Sequence, residues 1–285
     1  MKIGVGLRVR YEAMVPLVQL ADELGFESVW LPEHLVFPVS VGQRSPFPGE
    51  THPPMDPSIP TYDNLMFLAA LGLATQEVKL GTWVYNLALR HPIVAARSVQ
   101  TLDVLSQGRA ILGIGAGWIP GEYAAVGVDF ETRGARLDES IDVLRHLWSE
   151  DEPEWHGRFF DFEPLKFEPK PPQGMVPIHV GGESTAALRR AATRGDGWIG
   201  MGHEPDTAAE QVRRLRGFAE AAGRDPATIE VTVGATPRDH DELEAYVAAG
   251  VDRIIVSPWE RTAGALDGLR EYARDLRDSV LAGSP

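Results

Sequence analysis

The sequence predicts a single (β/α)8 barrel, an α/β fold in which eight parallel strands are each followed by a helix. Three observations carry this expectation. Short apolar runs alternate with longer helical patterns, eight times over. Most of the runs are continuously apolar, as expected when both faces of a sheet are covered. The 285 residues show no repeat of fixed period and no linker, so residues 1–285 read as one domain. Eight consecutive units favour a closed barrel over an open, doubly wound sheet.

The elements follow in order. Ile3 to Val9 reads as the first strand, and Tyr11 to Leu24 as a helix stopped by Gly25. Ser28 to Leu31 is the second strand. The stretch from Pro32 to Pro60 is rich in proline, carries Phe37, Phe47 and Met55, and reads as a long ordered lid. Asn64 to Thr75 returns to helix, and Val78 to Trp83 is the third strand. His91-Pro92 opens a helix to Leu105, with Pro92 at a position where its missing N–H costs nothing. Arg109 to Ile114 is the fourth strand, followed by an insert and a helix from Gly134 to Trp148. Residues 151–176, rich in aromatics and proline, read as a short hairpin or extended arm before the fifth strand, Pro177 to Val180. The remaining strands are Gly197–Gly200, Ile229–Val233 and Arg253–Val256. Their helices, and that of the fifth strand, are Ser184–Thr193, Asp206–Ala222, Asp239–Ala249 and Ala263–Leu281. The barrel therefore carries insertions after strands two and four and before strand five.

Composition narrows the chemistry. With 27 basic and 41 acidic residues the net charge is -14, a surface that repels nucleic acid and acidic membranes. There is no cysteine, which excludes disulfides, thiol nucleophiles and thiolate-held metals. The histidines are scattered, with no metal-ligand spacing, so no metal site is expected. Gly-x-Ser-x-Gly is missing, which argues against a serine hydrolase. No apolar stretch reaches the length of a membrane span, and the expected setting is cytoplasmic.

In a barrel, function sits where strands hand over to the following loops. After the second strand stand Glu33 and His34. His34 is the leading acid–base candidate, because imidazole titrates near neutrality. Glu33 is placed to orient that ring or to contact a cofactor. After the third strand, Gly81 would let the backbone approach a ligand and Thr82 offers a hydroxyl. After the fourth come Gly113, Gly115, Ala116, Gly117 and Trp118. Glycines at spacing two indicate a backbone pressed against something that leaves no room for a Cβ. A flat ring over the strand end would explain them, with Trp118 as a wall. The dinucleotide fingerprint is incomplete here and follows the wrong strand. After the fifth, Gly181, Gly182, Glu183 and Ser184 lead into a helix N-terminus, the physical recipe for a phosphate site; Ser184 and Thr185 serve equally as plain caps. Arg133 and Arg136 read as surface ion-pair partners of Asp138 and Glu139 rather than as cofactor contacts.

The segments "ADELGFESVWLPEHL", "TQEVKLGTWVYNLALRHPIVAARSVQTLDVLSQGRAILGIGAGW", "ETRGARLDESIDVLRHLW" and "VPIHVGGESTAALRRAATRGDGWIG", in this order, resemble the luciferase-like barrel family. Its members include bacterial-luciferase-type flavin monooxygenases and coenzyme F420-dependent oxidoreductases. The resemblance implies a bacterial-luciferase-like TIM barrel with the cofactor at its C-terminal mouth. The ring would lie near Gly81-Thr82 and Gly115-Ala116-Gly117, close to a non-prolyl cis peptide. The phosphate would be held by Gly181-Gly182-Glu183-Ser184. Glu33-His34 matches an acidic residue–histidine pair that, in F420-type members, sits near the ring and takes part in protonation. That pair favours F420 as cofactor over the alternative, FMN with monooxygenase chemistry. A homodimer packed through helices near strands two and three is implied, and a separate cofactor reductase is a further candidate partner. One departure stands out: Trp118 replaces the glutamate that the sugar-phosphate dehydrogenase branch carries after its glycine-rich turn. That departure argues against a sugar phosphate, and Phe47 and Met55 of the 38–60 loop with Trp155 and Phe159 of the arm suggest an apolar pocket, so the expected substrate is a small, fairly apolar organic molecule.

Overall fold

In a computed structural model, which describes residues 1–40 and 56–282 and side chains as far as residue 276, the eight main strands close on themselves. The elements are β1 (Lys2–Gly6), α1 (Tyr11–Leu24), β2 (Ser28–Leu31), α2 (Asn64–Leu73), β3 (Lys79–Thr82), α3 (Pro92–Leu105), β4 (Ala110–Ile114), α4 (Pro120–Ala125) and α5 (Arg133–Ser149). They continue with β5 (Trp155–His156), β6 (Asp161–Phe162), β7 (Ile178–Gly181), α6 (Thr185–Arg194), β8 (Gly197–Gly202), α7 (Pro205–Ala221), β9 (Glu230–Gly234), α8 (His240–Ala248), β10 (Arg253–Val256) and α9 (Ala265–Ala282). The barrel runs β1-β10-β9-β8-β7-β4-β3-β2, every pair parallel, so β1 and β7 face each other across the mouth.

Local chemistry explains the boundaries. Gly25 ends α1 in the left-handed conformation, φ 79°, which its missing side chain permits. Pro92 opens α3 at its first position, and Asp63, Ser184 and Asp239 cap α2, α6 and α8 through their side-chain oxygens. Each such cap is worth about 1 kcal/mol. The first strand ends at Gly6 rather than Val9, because Arg8 N–H turns back to the Gly6 carbonyl at 3.0 Å. Helix α4 lies within the insert after β4; its six residues are too few to show a period in the sequence. The lid reading of residues 38–60, with Phe47 and Met55, falls largely outside the described residues.

The arm before β7 is a two-stranded antiparallel hairpin, β5–β6. Its turn closes on one carboxylate. Glu139 of α5 accepts from Trp155 Nε1 at 3.2 Å and from the Phe159 and Phe160 N–H groups at 3.0 Å. Trp155 packs on His146 of α5, so the arm covers the outside of the barrel rather than lining a pocket. Glu139→Ala strands these donors and should cost about 1–3 kcal/mol. Limited proteolysis would then cut first at residues 155–162; an uncut arm would refute the account.

Inside the barrel, Trp30, Ile111, Ile199 and Ile255 form one layer. Below them, at the N-terminal end, Arg253 lies fully buried and donates to Glu27 at 2.8 and 2.9 Å, to Glu230 at 2.8 Å and to Thr232 at 3.1 Å. Trp83 and Val84 pack over the apolar layer from above and form the floor of the mouth.

Candidate active site

The floor is built by the exit of β3. Trp83 and Val84 are joined by a non-prolyl cis peptide, two residues beyond Gly81. Their side chains reach different parts of the mouth. A Cβ on Gly6 or Gly234 would meet the Trp83 ring at 3.0 or 2.9 Å, so Trp83 lies toward β1 and β9. A Cβ on Gly115 or Gly181 would meet Val84 at 2.7 or 2.8 Å, so Val84 lies between β4 and β7. Gly81 and Thr82 sit one layer lower. Gly81 packs against the Trp30 ring, and the buried Thr82 hydroxyl donates to Gly113 O at 2.7 Å. The glycine run after β4 is thus occupied by the protein itself: a Cβ on Gly113 would overlap the Thr82 carbonyl oxygen, and Gly115 faces Val84. Gly117 is left-handed, φ 66°, and Tyr123 anchors the turn by donating to Ala116 O at 2.5 Å.

His34 and Glu33 have separate partners. His34 Nδ1 lies 3.1 Å from Glu122 Oε2, while Glu122 Oε1 accepts from Leu35 N–H at 2.9 Å. The Glu122 side chain is only 1% exposed, so it has no water shell to turn in. An ionised carboxylate only accepts, which places the ring proton on Nδ1 and leaves Nε2 to exchange one. The ring is flanked by Phe37, 4.6 Å between centroids, and by the edge of Trp118 at 6.1 Å. Glu33 does not orient His34. It accepts from Asn86 N–H at 2.7 Å and pairs with Arg90, whose guanidinium also lies 4.3 Å over the Tyr85 ring. Burial pushes the Glu33 carboxyl up, against the pull of Arg90. Its geometry is that of a brace between the exits of β2 and β3.

The turn after β7 presents backbone to the mouth. Gly182 has φ +121°, and the N–H groups of Thr185 and Ala186, in the first turn of α6, have no acceptor within the helix. The Ser184 hydroxyl accepts from Ala187 N–H at 3.1 Å as a cap. Glu183 points away from the turn, accepting from Met201 N–H and pairing with His203 Nε2, both at 2.8 Å, which ties the turn to β8. Arg214 of α7 donates to Thr185 Oγ1 at 3.0 Å and has no carboxylate partner among the described residues. It adds a cation where the helix dipole already favours an anion. Such a turn fits a phosphate group.

Arg133 and Arg136 do not pair with Asp138 and Glu139. Arg133 donates to Phe130 O at 2.9 Å, and Arg136 to Ala88 O at 3.1 Å beneath the arm's phenylalanines. Asp138 instead binds Arg190. Glu122 and Arg214 are the site residues that sequence reasoning missed. Glu122 lies in the unpatterned insert, and Arg214 is one of several arginines on α7.

A closed parallel barrel with glycine-rich turns and a positioned histidine at its C-terminal mouth defines an enzyme that works among its strand-to-helix turns. The chain belongs to the luciferase-like monooxygenase family, whose model matches residues 3–278. It is similar to the F420-dependent hydroxymycolic acid dehydrogenase of Mycobacterium tuberculosis, 30% identical over 275 residues that cover 93% of this chain and 69% of that protein. The F420-dependent glucose-6-phosphate dehydrogenase of Amycolatopsis mediterranei is 30% identical over 232 residues, 78% of this chain and 64% of that one. Among solved structures, the monooxygenase RslO1 of Streptomyces bottropensis shares the fold, with a TM-score of 0.78 at 22% identity over 98% of this chain and 99% of that chain.

Proposed function

We propose that the protein is an F420-dependent oxidoreductase acting on a small organic substrate, with His34 as its proton-transfer group. The observation that carries the reading is the His34–Glu122 pair, 3.1 Å apart beyond the end of β2, at the same end of the barrel as the phosphate-ready turn after β7. Two F420-dependent dehydrogenases among the relatives supply the cofactor's identity. When bound, the deazaflavin supplies hydride transfer to or from a substrate carbon.

This chain's residues do the rest. The N–H groups from Glu183 to Ala186 and the Arg214 guanidinium bind the phosphate, with Gly181 and Gly182 giving the backbone close approach and Ser184 capping the helix beneath it. Glu183 holds that turn against β8. Val84, Gly115, Ala116 and Gly117 bear the ring, and Gly81 and Thr82 fix the height of β3 below it. Trp118 and Phe37 wall the substrate against His34. Nε2 of His34 gives or takes the proton that accompanies the hydride, while Glu122 keeps Nδ1 protonated. Glu33 acts at one remove, holding the Asn86 backbone through its own bond and through Arg90.

Titration of the apo-protein with F420 and with FMN, followed by fluorescence, tests the reading. Tight F420 binding with FMN ignored is expected; FMN binding alone would replace hydride transfer with flavin chemistry. Arg214→Gln removes a charge-assisted bond worth about 1.5–3 kcal/mol, so the F420 dissociation constant should rise about tenfold or more. An unchanged constant would remove Arg214 from the site.

A homodimer and a cytoplasmic setting, with a separate reductase for the cofactor, belong to the same reading. Met66 and Leu73 on α2 and Val94 on α3 are 75%, 66% and 61% exposed, an apolar face that a second copy would cover. A monomer mass in sedimentation equilibrium would sink the dimer.

A further inference from the structure

The exit of β1 carries an arginine that the reading above does not use. Arg8 places its guanidinium 4.7 Å over the Trp83 ring, on the floor of the mouth. Three other arginines hold groups of the protein: Arg90 holds Glu33, Arg133 the Phe130 carbonyl and Arg136 the Ala88 carbonyl. Arg8 has no carboxylate partner among the described residues, and its side chain makes no hydrogen bond among them. Stacking uses the face of a guanidinium, so the in-plane N–H donors stay free for a second group. In a chain of net charge -14, such a cation at the exit of β1 offsets locally a surface that repels anions.

Its place in the barrel separates it from the phosphate turn. β1 lies across the mouth from β7 and beside β2, which carries His34. Val84 faces the β7 side and Trp83 the β1 side.

We infer that Arg8 is the anchor for an anionic substrate: the organic molecule reduced or oxidised here carries a carboxylate that docks on Arg8 while its apolar body lies on Trp83. This rests on the oxidoreductase reading and adds the substrate class to it. A planar carboxylate matches the guanidinium fork with two parallel hydrogen bonds, which a neutral amide of the same shape does not. Arg8 and His34 follow the paired strands β1 and β2, so the anchor and the proton-transfer group leave neighbouring strand ends.

Benzoate and its uncharged near-isostere benzamide provide the probes. Each is titrated into 15N-labelled, F420-loaded protein, and the Arg8 Nε–H signal is followed by NMR. The expected result is a saturable shift with benzoate and binding of benzamide about tenfold weaker or worse. Arg8→Met should bring the two affinities to within about twofold, with the F420 dissociation constant changed by less than about twofold. Equal affinities in the unaltered protein, or a benzoate preference that survives Arg8→Met, would overturn the proposal. So would weakened F420 binding in that variant, which would assign the guanidinium to the cofactor's own acidic groups. If F420 fails to bind the unaltered protein, the oxidoreductase reading falls, and the benzoate-to-benzamide ratio on the apo-protein still decides the role of Arg8.

Discussion

Turnover by the His34→Gln protein should fall about 10²–10⁴-fold, the usual worth of a positioned acid–base group, while the F420 dissociation constant stays unchanged. The split between the two readouts is the point. The turn at 181–186, proposed above to hold the cofactor's phosphate, follows β7, whereas His34 follows β2, three strands away around the barrel. Glu122→Gln should act on the same step more mildly. A glutamine amide still offers an oxygen to Nδ1–H, but no longer forbids the other tautomer. The 15N shifts of the His34 ring should report one tautomer in the unaltered protein and a mixture in the variant, with turnover lowered. Full activity in His34→Gln would move the proton transfer elsewhere.

Arg253→Leu is expected to cost about 3 kcal/mol, because it leaves two half-buried carboxylates without the buried guanidinium that joins them. Folded domains have only about 5–15 kcal/mol in hand, so the loss should be plain in a denaturant midpoint. Glu27 keeps Lys79 and Glu230 keeps Lys2, but both lysines sit at the surface, with side chains 44% and 46% exposed. The same cluster sets the response to acid. Burial pushes the Glu27 carboxyl up, but the hydrogen bonds and charge of Arg253 outweigh it and hold the group at about 2, below its ordinary 4.5. Its stabilisation is therefore present above pH 4.5 and lost as pH falls toward 2. His179, fully buried against Glu230, is pushed by burial from 6.5 down to about 4. The unfolded chain takes up this proton first, so stability should begin to fall below pH 6.5 and continue to fall to pH 4. The slope is at most about 1.4 kcal/mol per pH unit for that proton. His179→Gln should flatten this interval and leave the one below it. An unchanged slope between pH 6.5 and 4 would refute the assignment.

The barrel was legible in the sequence because its signals are local. Apolar runs, the Gly25 stop, the Pro92 start and the Ser184 cap each act within a few residues of themselves. The site was legible only in part. Sequence placed His34 and the glycine-rich turns at the C-terminal ends of their strands, since those positions follow from the fold. It did not supply their partners. Glu122 reaches His34 across 88 positions and Arg214 reaches Thr185 across 29. Such pairs exist only after the barrel closes, and no spacing rule records them. The run Gly113, Gly115, Gly117 shows the limit well. Reading it as a want of room for Cβ atoms was sound, but the neighbours at Gly113 and Gly115 are Thr82 and Val84 of the adjacent strand exit.

The two floor residues are consecutive in the chain and share one peptide plane. Trp83 meets whatever lies toward β1, and Val84 whatever lies toward β7. Both side chains rest on the same layer of Trp30, Ile111, Ile199 and Ile255, so a larger or smaller residue at either position disturbs the packing under both. Selection for a new substrate therefore has little freedom at positions 83 and 84. New specificities in this scaffold should be written into the insertions around the rim, where a change on the substrate side leaves the cofactor side untouched.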